Sequence, residues 1–181
     1  MVGESPTLRE VKFVSVRLLR VEDTDAVLNF ELENRAWFEQ WVPPRPDGYF
    51  SRETLRKTNE SLVNEAKIET AYMHLILGES SRIVGRINLS NIQRENFASA
   101  DVGYRIAQTE TGRGIARLAV GLIEGMARSD YGLGRLYGSC LATNPASSAV
   151  LTNRGFIKDS EAEITWNGVQ VAMLRYRKSL P

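Results

Sequence analysis

The sequence predicts an α+β (mixed αβ) fold, one mixed sheet with helices packed against it. Three observations predict this. Short alternating apolar runs recur along the chain, as in residues 13–19 (Phe-Val-Ser-Val-Arg-Leu-Leu), 72–77 and 99–106. Elsewhere the apolar spacing lengthens to three and four residues, most clearly after Gly114. The order of elements (strand, helices, strand meander, helix, strand, helix, hairpin) lacks the strict strand–helix alternation of a doubly wound parallel sheet.

Each element has its own signal. Residues 13–19 alternate as a first strand, and Asp23 stands as an N-cap before a helix over residues 24–41, with a break near Glu33 or Asn34. Pro43-Pro44-Arg45-Pro46-Asp47-Gly48 is the strongest loop signal in the chain. Ser51, with Thr54 and Leu55 behind it, starts a second capped helix to about Lys67. Strands over residues 72–77 and 82–89 flank Gly78-Glu79-Ser80-Ser81, which reads as a hairpin turn, and the polar stretch 91–96 connects to a third strand, 99–106. Ile115, Leu118, Ala119, Leu122, Ile123, Met126 and Ala127 then share one helical face. Residues 135–141 form a strand and 147–154 a short helix stopped by Gly155; residues 156–164 and 171–177 close a hairpin around Asn167-Gly168. No repeat or low-complexity linker divides the 181 residues, so the chain reads as a single domain, with residues 1–12 a flexible or extended lead-in.

Composition narrows the function. Lys and Arg (23) balance Asp and Glu (22), so a net charge of +1 provides no field to gather DNA or RNA, and nucleic acid is not an expected partner. No apolar run approaches the ~20 residues of a membrane span, and the polar opening lacks the apolar centre of a secretory signal, so the expectation is a cytoplasmic protein without a membrane partner. Cys140 and His74 are the only residues of their types. A disulfide framework, a cysteine cluster and a multi-histidine metal site are thereby excluded within the chain, and no metal is expected. Both residues sit in strand-like runs and read as packed.

The stretch Thr111-Gly112-Arg113-Gly114-Ile115-Ala116 puts two glycines directly before the clearest helix. Glycine permits a tight strand-to-helix turn; it also lets a ligand approach backbone amides at a helix N-terminus, where the macrodipole favours an anion and Arg113 adds a cation. A dinucleotide fingerprint needs a third glycine where Arg117 stands, and a P-loop needs Gly-Lys-Ser or Gly-Lys-Thr. Turn and anion cradle remain the two readings of the residues themselves.

This stretch resembles the Gln/Arg-x-x-Gly-x-Gly/Ala signature of the GNAT superfamily of acetyl-CoA-dependent N-acetyltransferases. Val102-Gly103-Tyr104-Arg105-Ile106 precedes it, and Asn144-Pro145-Ala146-Ser147, continuing to Gly155-Phe156, follows. The last segment is similar to that of the RimJ/RimL branch, which acetylates ribosomal-protein N-termini. The resemblance implies a mostly antiparallel sheet, splayed between the strand ending near Ile106 and the one beginning near Arg135, with helices on both faces. It also implies acetyl-CoA as cosubstrate, with pantetheine along Arg105, Ile106 and Ala107 and the pyrophosphate on Thr111, Gly112, Arg113, Gly114, Ile115 and Ala116. Asn144 would bond the pantetheine arm or the amine, and Ser147 would bond or protonate the thiolate; a turn before Pro145 and a helix N-cap are their alternatives. Thr111 stands where the family usually carries Gln or Arg.

For a base, Asp101 is the first candidate, on the strand leading to the cofactor, and Glu69 the second. Trp37, Trp41 and Tyr49 flank the Pro-rich loop among acidic residues, a rim that suits a cationic amine, although the four-residue spacing of the tryptophans makes core packing of that helix the safer reading. The expected function is acetyl transfer to a protein α-amine, with a small-amine acetyltransferase or a non-catalytic acyl-CoA sensor as alternatives. The expected assembly is a monomer or homodimer.

Overall fold

A computed structural model describes residues 14–95, 97–166 and 168–180. Residues 1–12, Phe13, Asn96 and Asn167, which carry parts of the sequence expectations, lie outside the described residues.

The described residues form a seven-stranded sheet in the order β1-β2-β3-β4-β5-β7-β6. Its strands are β1 (Ser15–Leu18), β2 (Tyr72–Leu77), β3 (Ile83–Gln93), β4 (Ser99–Ile106), β5 (Arg135–Leu141), β6 (Ile157–Trp166) and β7 (Val169–Ser179). All neighbours are antiparallel except β4 and β5. The helices are α1 (Thr24–Glu33), α2 (Arg35–Phe38), α3 (Arg52–Lys67), α4 (Ile115–Ser129) and α5 (Pro145–Asn153). None is long and apolar enough to cross a membrane.

The mixed α+β plan stands, and the first helix does break at Asn34, which separates α1 from α2. Asn34 turns its side chain back onto the Phe30 carbonyl (2.9 Å), bonding the backbone that a continuing helix would need. Ser51 caps α3 as expected, accepting from the Thr54 amide at 3.1 Å. Asp23 does not cap α1: its carboxylate receives the Arg17 guanidinium at 2.7 and 2.8 Å and the Arg20 amide at 2.8 Å. A bidentate charge-assisted pair outweighs a single cap bond. The polar stretch after Leu89 does not begin a loop at Asn91, because β3 runs to Gln93.

One sheet face carries Ile76, Ile87, Leu89 and Leu136, all fully buried under Ala119, Val120, Ile123 and Ala127 of α4 and Leu151 of α5. Each large side chain so buried contributes about 1.5–3 kcal/mol. The other face packs Leu75 and Leu77 against Val27 of α1 and Leu55 of α3. The β4-β5-β7 end of that second face lies beyond this cluster, and positions the polar residues described below.

His74 sits within β2 with no exposed surface, its Nε2 2.8 Å from the Tyr131 hydroxyl, and the Tyr131 ring stacks on Tyr72 at 3.7 Å. Burial pushes its pKa down from 6.5 to about 4. Between those values the unfolded chain binds a proton that the folded chain refuses, so stability rises with pH through this window. The contribution is complete above 6.5 and is lost as pH falls toward 4, with a ceiling on the order of 3 kcal/mol. Urea midpoints measured from pH 4.5 to 7 should therefore climb more steeply for the native chain than for His74→Gln; parallel profiles would refute the assignment.

Candidate active site

Strands β4 and β5 pair from Ser99 and Arg135 only as far as Val102 and Gly138. Beyond that point β4 keeps its ladder to β3 as far as Ile106, and β5 keeps its ladder to β7 as far as Leu141. A cleft of about 460 Å³ opens between the parting ends. The Ala107 amide donates to Val84 O at 2.9 Å. Antiparallel alternation then turns the backbone groups of Arg105 and Ala107 toward β3 and those of Tyr104 and Ile106 toward the gap.

At one end of the cleft lies the glycine pair. Gly112 (φ +72) and Gly114 (φ +76) are both left-handed, and no heavy atom lies within 4 Å of where a Cβ would stand on either. Gly114 is the N-cap of α4 and offers no side chain, so the first-turn amides of Ile115, Ala116 and Arg117 have no intrahelical acceptor. Thr111 spends both its amide (3.3 Å) and its hydroxyl (2.8 Å) on Gln108 O, so the open amides begin at Gly112. Arg113 is held at 2.5 Å by Glu110, a buried carboxylate that also holds Arg82 at 2.6 Å.

Across the gap, Asn144 caps α5: its Oδ1 accepts the Ser147 amide at 3.0 Å. The N-cap role considered for Ser147 thus belongs to Asn144, and α5 starts two residues earlier than expected, at Pro145. This leaves the Ser147 hydroxyl for the cleft, where it lies 2.9 Å from the Tyr104 hydroxyl. Burial pushes the Tyr104 pKa up to about 12, so this phenol stays protonated at neutral pH. Burial likewise raises the Cys140 thiol, with Ser147 hydrogen bonding opposing it.

Residues 14–157 match the acetyltransferase (GNAT) domain family. The chain belongs to the GNAT acetyltransferases. It is 31% identical over 161 residues to the probable N-acetyltransferase YjcK of Bacillus subtilis, covering 87% of this chain and 89% of that protein. The ribosomal-protein-S5-alanine acetyltransferase of Vibrio fischeri has the same fold with a TM-score of 0.87 and 27% identity, over 94% of this chain and 97% of that one. RimJ of Mycobacterium smegmatis, solved in complex with CoA-disulfide, superposes with a TM-score of 0.85 at 22% identity, over 92% of this chain and 81% of that one. The splayed, mostly antiparallel sheet with helices on both faces is the GNAT fold.

The GNAT cleft brings together Arg105, Ile106, Thr111, Gly112, Gly114, Ile115, Ala116, Asn144 and Ser147, and adds Trp37 and Trp41 as a wall. Trp37 also donates from Nε1 to Ile106 O at 3.2 Å, fastening α2 to the open edge of β4. Six expectations are corrected. The backbone groups of Arg105 and Ala107 face β3 and not the gap, and Ala107 is buried. Arg113 does not line this cleft but a smaller cavity, with Glu79, Arg82 and Glu110. Tyr49 is buried beneath the wall, accepting from Arg86 Nη1 at 3.3 Å, and does not line the cleft. Asp101 lies on the closed, paired part of β4, where it takes Asn91 at 2.8 Å and Arg175 at 3.0 Å. Glu69 follows α3 and pairs with Arg94 at 3.1 Å. Neither carboxylate lines the cleft. Tyr104 was missed, although its alternation with Val102 and Ile106 in the sequence puts all three on one strand face.

Behind the wall, Glu31 is buried between Arg86 (2.5 Å) and Arg105 (3.0 Å). Burial lowers the Arg105 pKa; Glu31 opposes this, and the cations Arg86 and Arg45 add to it.

Because Gly114 holds a left-handed φ, a β-branched side chain there should strain the turn even though space is free. Gly114→Val is expected to cost about 1–3 kcal/mol of stability by urea denaturation. Gly125→Ala, within α4, supplies the control: a glycine there has open space and ordinary helical φ, so alanine should be neutral or stabilising.

Proposed function

We propose that this GNAT acetyltransferase transfers the acetyl group of acetyl-CoA to the α-amine of a protein N-terminus, of the ribosomal-protein type. One observation carries the reading: a single cleft joins the left-handed glycines, the Tyr104–Ser147 pair and the tryptophan wall. The likeness to the V. fischeri S5-alanine enzyme supports the acceptor class.

Acetyl-CoA supplies the activated acyl thioester. The open amides from Gly112 to Arg117 suit its pyrophosphate, since they combine free donors with the positive end of α4. The Tyr104 and Ile106 backbone groups facing the gap suit the pantetheine amides, much as an edge strand accepts a peptide. When the amine attacks the carbonyl carbon and the carbon–sulfur bond breaks, the thiolate needs a proton. Ser147 Oγ gives that proton and takes one from the Tyr104 hydroxyl through their 2.9 Å bond, while the proton that the attacking nitrogen sheds passes through solvent water and restores the phenol, so nitrogen loses one proton for each that sulfur gains. Among the described residues lining the cleft the one carboxylate is Glu110, already held by two arginines. An α-amine tolerates this lack of a base: roughly a seventh is neutral at pH 7, against about 0.04% of a lysine amine.

Calorimetry should detect acetyl-CoA binding at micromolar concentration, and thiol release should follow with N-terminal peptides in preference to polyamines or aminoglycosides. Binding without turnover on any of these acceptors would favour the sensor reading. Ser147→Ala is expected to lower kcat about a hundredfold while acetyl-CoA affinity stays within about twofold. Unchanged turnover would remove Ser147 from the proton path.

A further inference from the structure

We infer that the acceptor end of the cleft holds a carboxylate-binding subsite built on Arg105, so that the preferred acceptor carries a carboxylate close to its reacting amine. The inference rests on the transferase reading above and names the acceptor chemistry of that same cleft.

The first ground is a shortage of acceptors. Two guanidinium groups share one buried carboxylate, Glu31, and the shorter bond goes to Arg86. Arg86 Nε is buried without an acceptor among the described residues. Of the Arg105 nitrogens, only Nη1 bonds a described residue, while the side chain keeps 19% of its surface and lines the cleft. An incoming carboxylate would meet the remaining Nε and Nη2 donors along one edge of the fork, the geometry in which a guanidinium binds a carboxylate with two parallel bonds.

The second ground is the placement of charge. Arg117 stands at the cradle end, where the phosphates of acetyl-CoA account for a cation. Those phosphates do not account for Arg105. It belongs to β4, its backbone is turned toward β3, and its guanidinium lies over the Phe38 ring at 5.1 Å, beside the wall and on the sheet face opposite Tyr104. With Glu31 already shared, the cluster of Glu31, Arg86 and Arg105 keeps one uncompensated positive charge in a poorly hydrated place. The same charge disfavours an acceptor with a second cation beside its amine, which sets polyamines at a disadvantage.

The test is calorimetry of acceptor binding to the CoA-saturated protein, using matched pairs. Peptides beginning Ala-Asp and Ala-Asn, and Asp-Ala and Asn-Ala, offer a side-chain carboxylate; alanine against alaninamide offers the acceptor's own α-carboxylate. At least one pair should show the acid binding tenfold or more tighter than its amide, and which pair does so identifies the source of the carboxylate. Arg105→Gln should bring that ratio within twofold without changing acetyl-CoA affinity. If Arg105→Gln melts early, Arg105→Lys, which can keep the ion pair to Glu31 but lacks the fork, should still cut the ratio at least threefold. Equal affinities within every pair, no measurable binding of any acid at millimolar concentration, or a preference that survives loss of the fork would each overturn the subsite. Acid preference in binding, together with no thiol release from any acceptor, would count against the transferase reading and leave the subsite standing.

Discussion

Strands β4 and β5 part after four residue pairs, and the rest of the cleft depends on that parting. Each strand tolerates it because each keeps an antiparallel ladder on its other side, regular from Asp101 to Ile106 between β4 and β3 and throughout between β5 and β7. The freed backbone groups would be costly if buried without partners, so the gap has to remain accessible to water or to a ligand that supplies amides. Two contacts set its geometry. Leu151 of α5 packs where a Cβ on Gly138 would stand, only 2.8 Å from its Cδ2, so glycine at the last paired position lets α5 sit down on β5. The Tyr104–Ser147 bond then reaches from β4 to α5 across the opening. The same arrangement that withholds a strand ladder therefore places a hydroxyl pair where the ladder ends.

Three buried glutamates hold the periphery in register, each between two cations. Glu31 ties α1 to β3 and β4 through Arg86 and Arg105, Glu110 ties the β2–β3 turn to the cradle through Arg82 and Arg113, and Glu124 ties α4 to α5 and β7 through Arg154 and Lys178. Removing one such carboxylate leaves two partly desolvated cations facing each other, which is why buried pairs are costly to break even where they add little net stability. Glu124 lies outside the cleft lining and pairs with Arg154 and Lys178 alone among the described residues. Glu31 reaches the cleft through Arg105 and Glu110 lines it directly, so the fold's anchoring charges also set the potential that a ligand meets.

Where periodicity and local chemistry act alone, the sequence was legible. The runs at Tyr72–Leu77, Ser99–Ile106 and Arg135–Leu141 are strands to the residue, and α4 buries Ile115, Ala119, Ile123 and Ala127 as its apolar spacing predicts, although Leu118 and Leu122 of the same expected face are exposed. The glycine pair was legible as a left-handed turn into α4, because two positive-φ positions before a helix are a property of the local chain; its reading as an anion cradle came from the family resemblance. Misreadings came where another group in the fold took the residue before its expected role could. Asp23 has the residue type of a cap but is taken by Arg17, and Ser147 has the type of a cap but Asn144 reaches its amide first. Asp101 and Glu69 are neutralised by Arg175 and Arg94, partners that only folding brings near. Tyr49 shares the aromatic rim in sequence, yet its hydroxyl is drawn inward by Arg86.

Thr111 shows how such distant bracing can replace a side chain. A Gln or Arg at this position would reach toward the ligand; threonine instead folds back on Gln108 O through both its amide and its hydroxyl. The Gln108 amide is in turn held by Asn34 Oδ1 at 2.9 Å, and Trp37 holds the Ile106 carbonyl just upstream. Asn34 is thus used twice: its Nδ2 ends α1 on the Phe30 carbonyl and its Oδ1 positions the approach to the cradle. The turn into α4 is braced from behind by these bonds, and such bracing would preorganise any ligand contact made by the amides after Gly112. Preorganisation of this kind lowers the ordering cost of binding, and that saving can compensate for a lost side-chain contact.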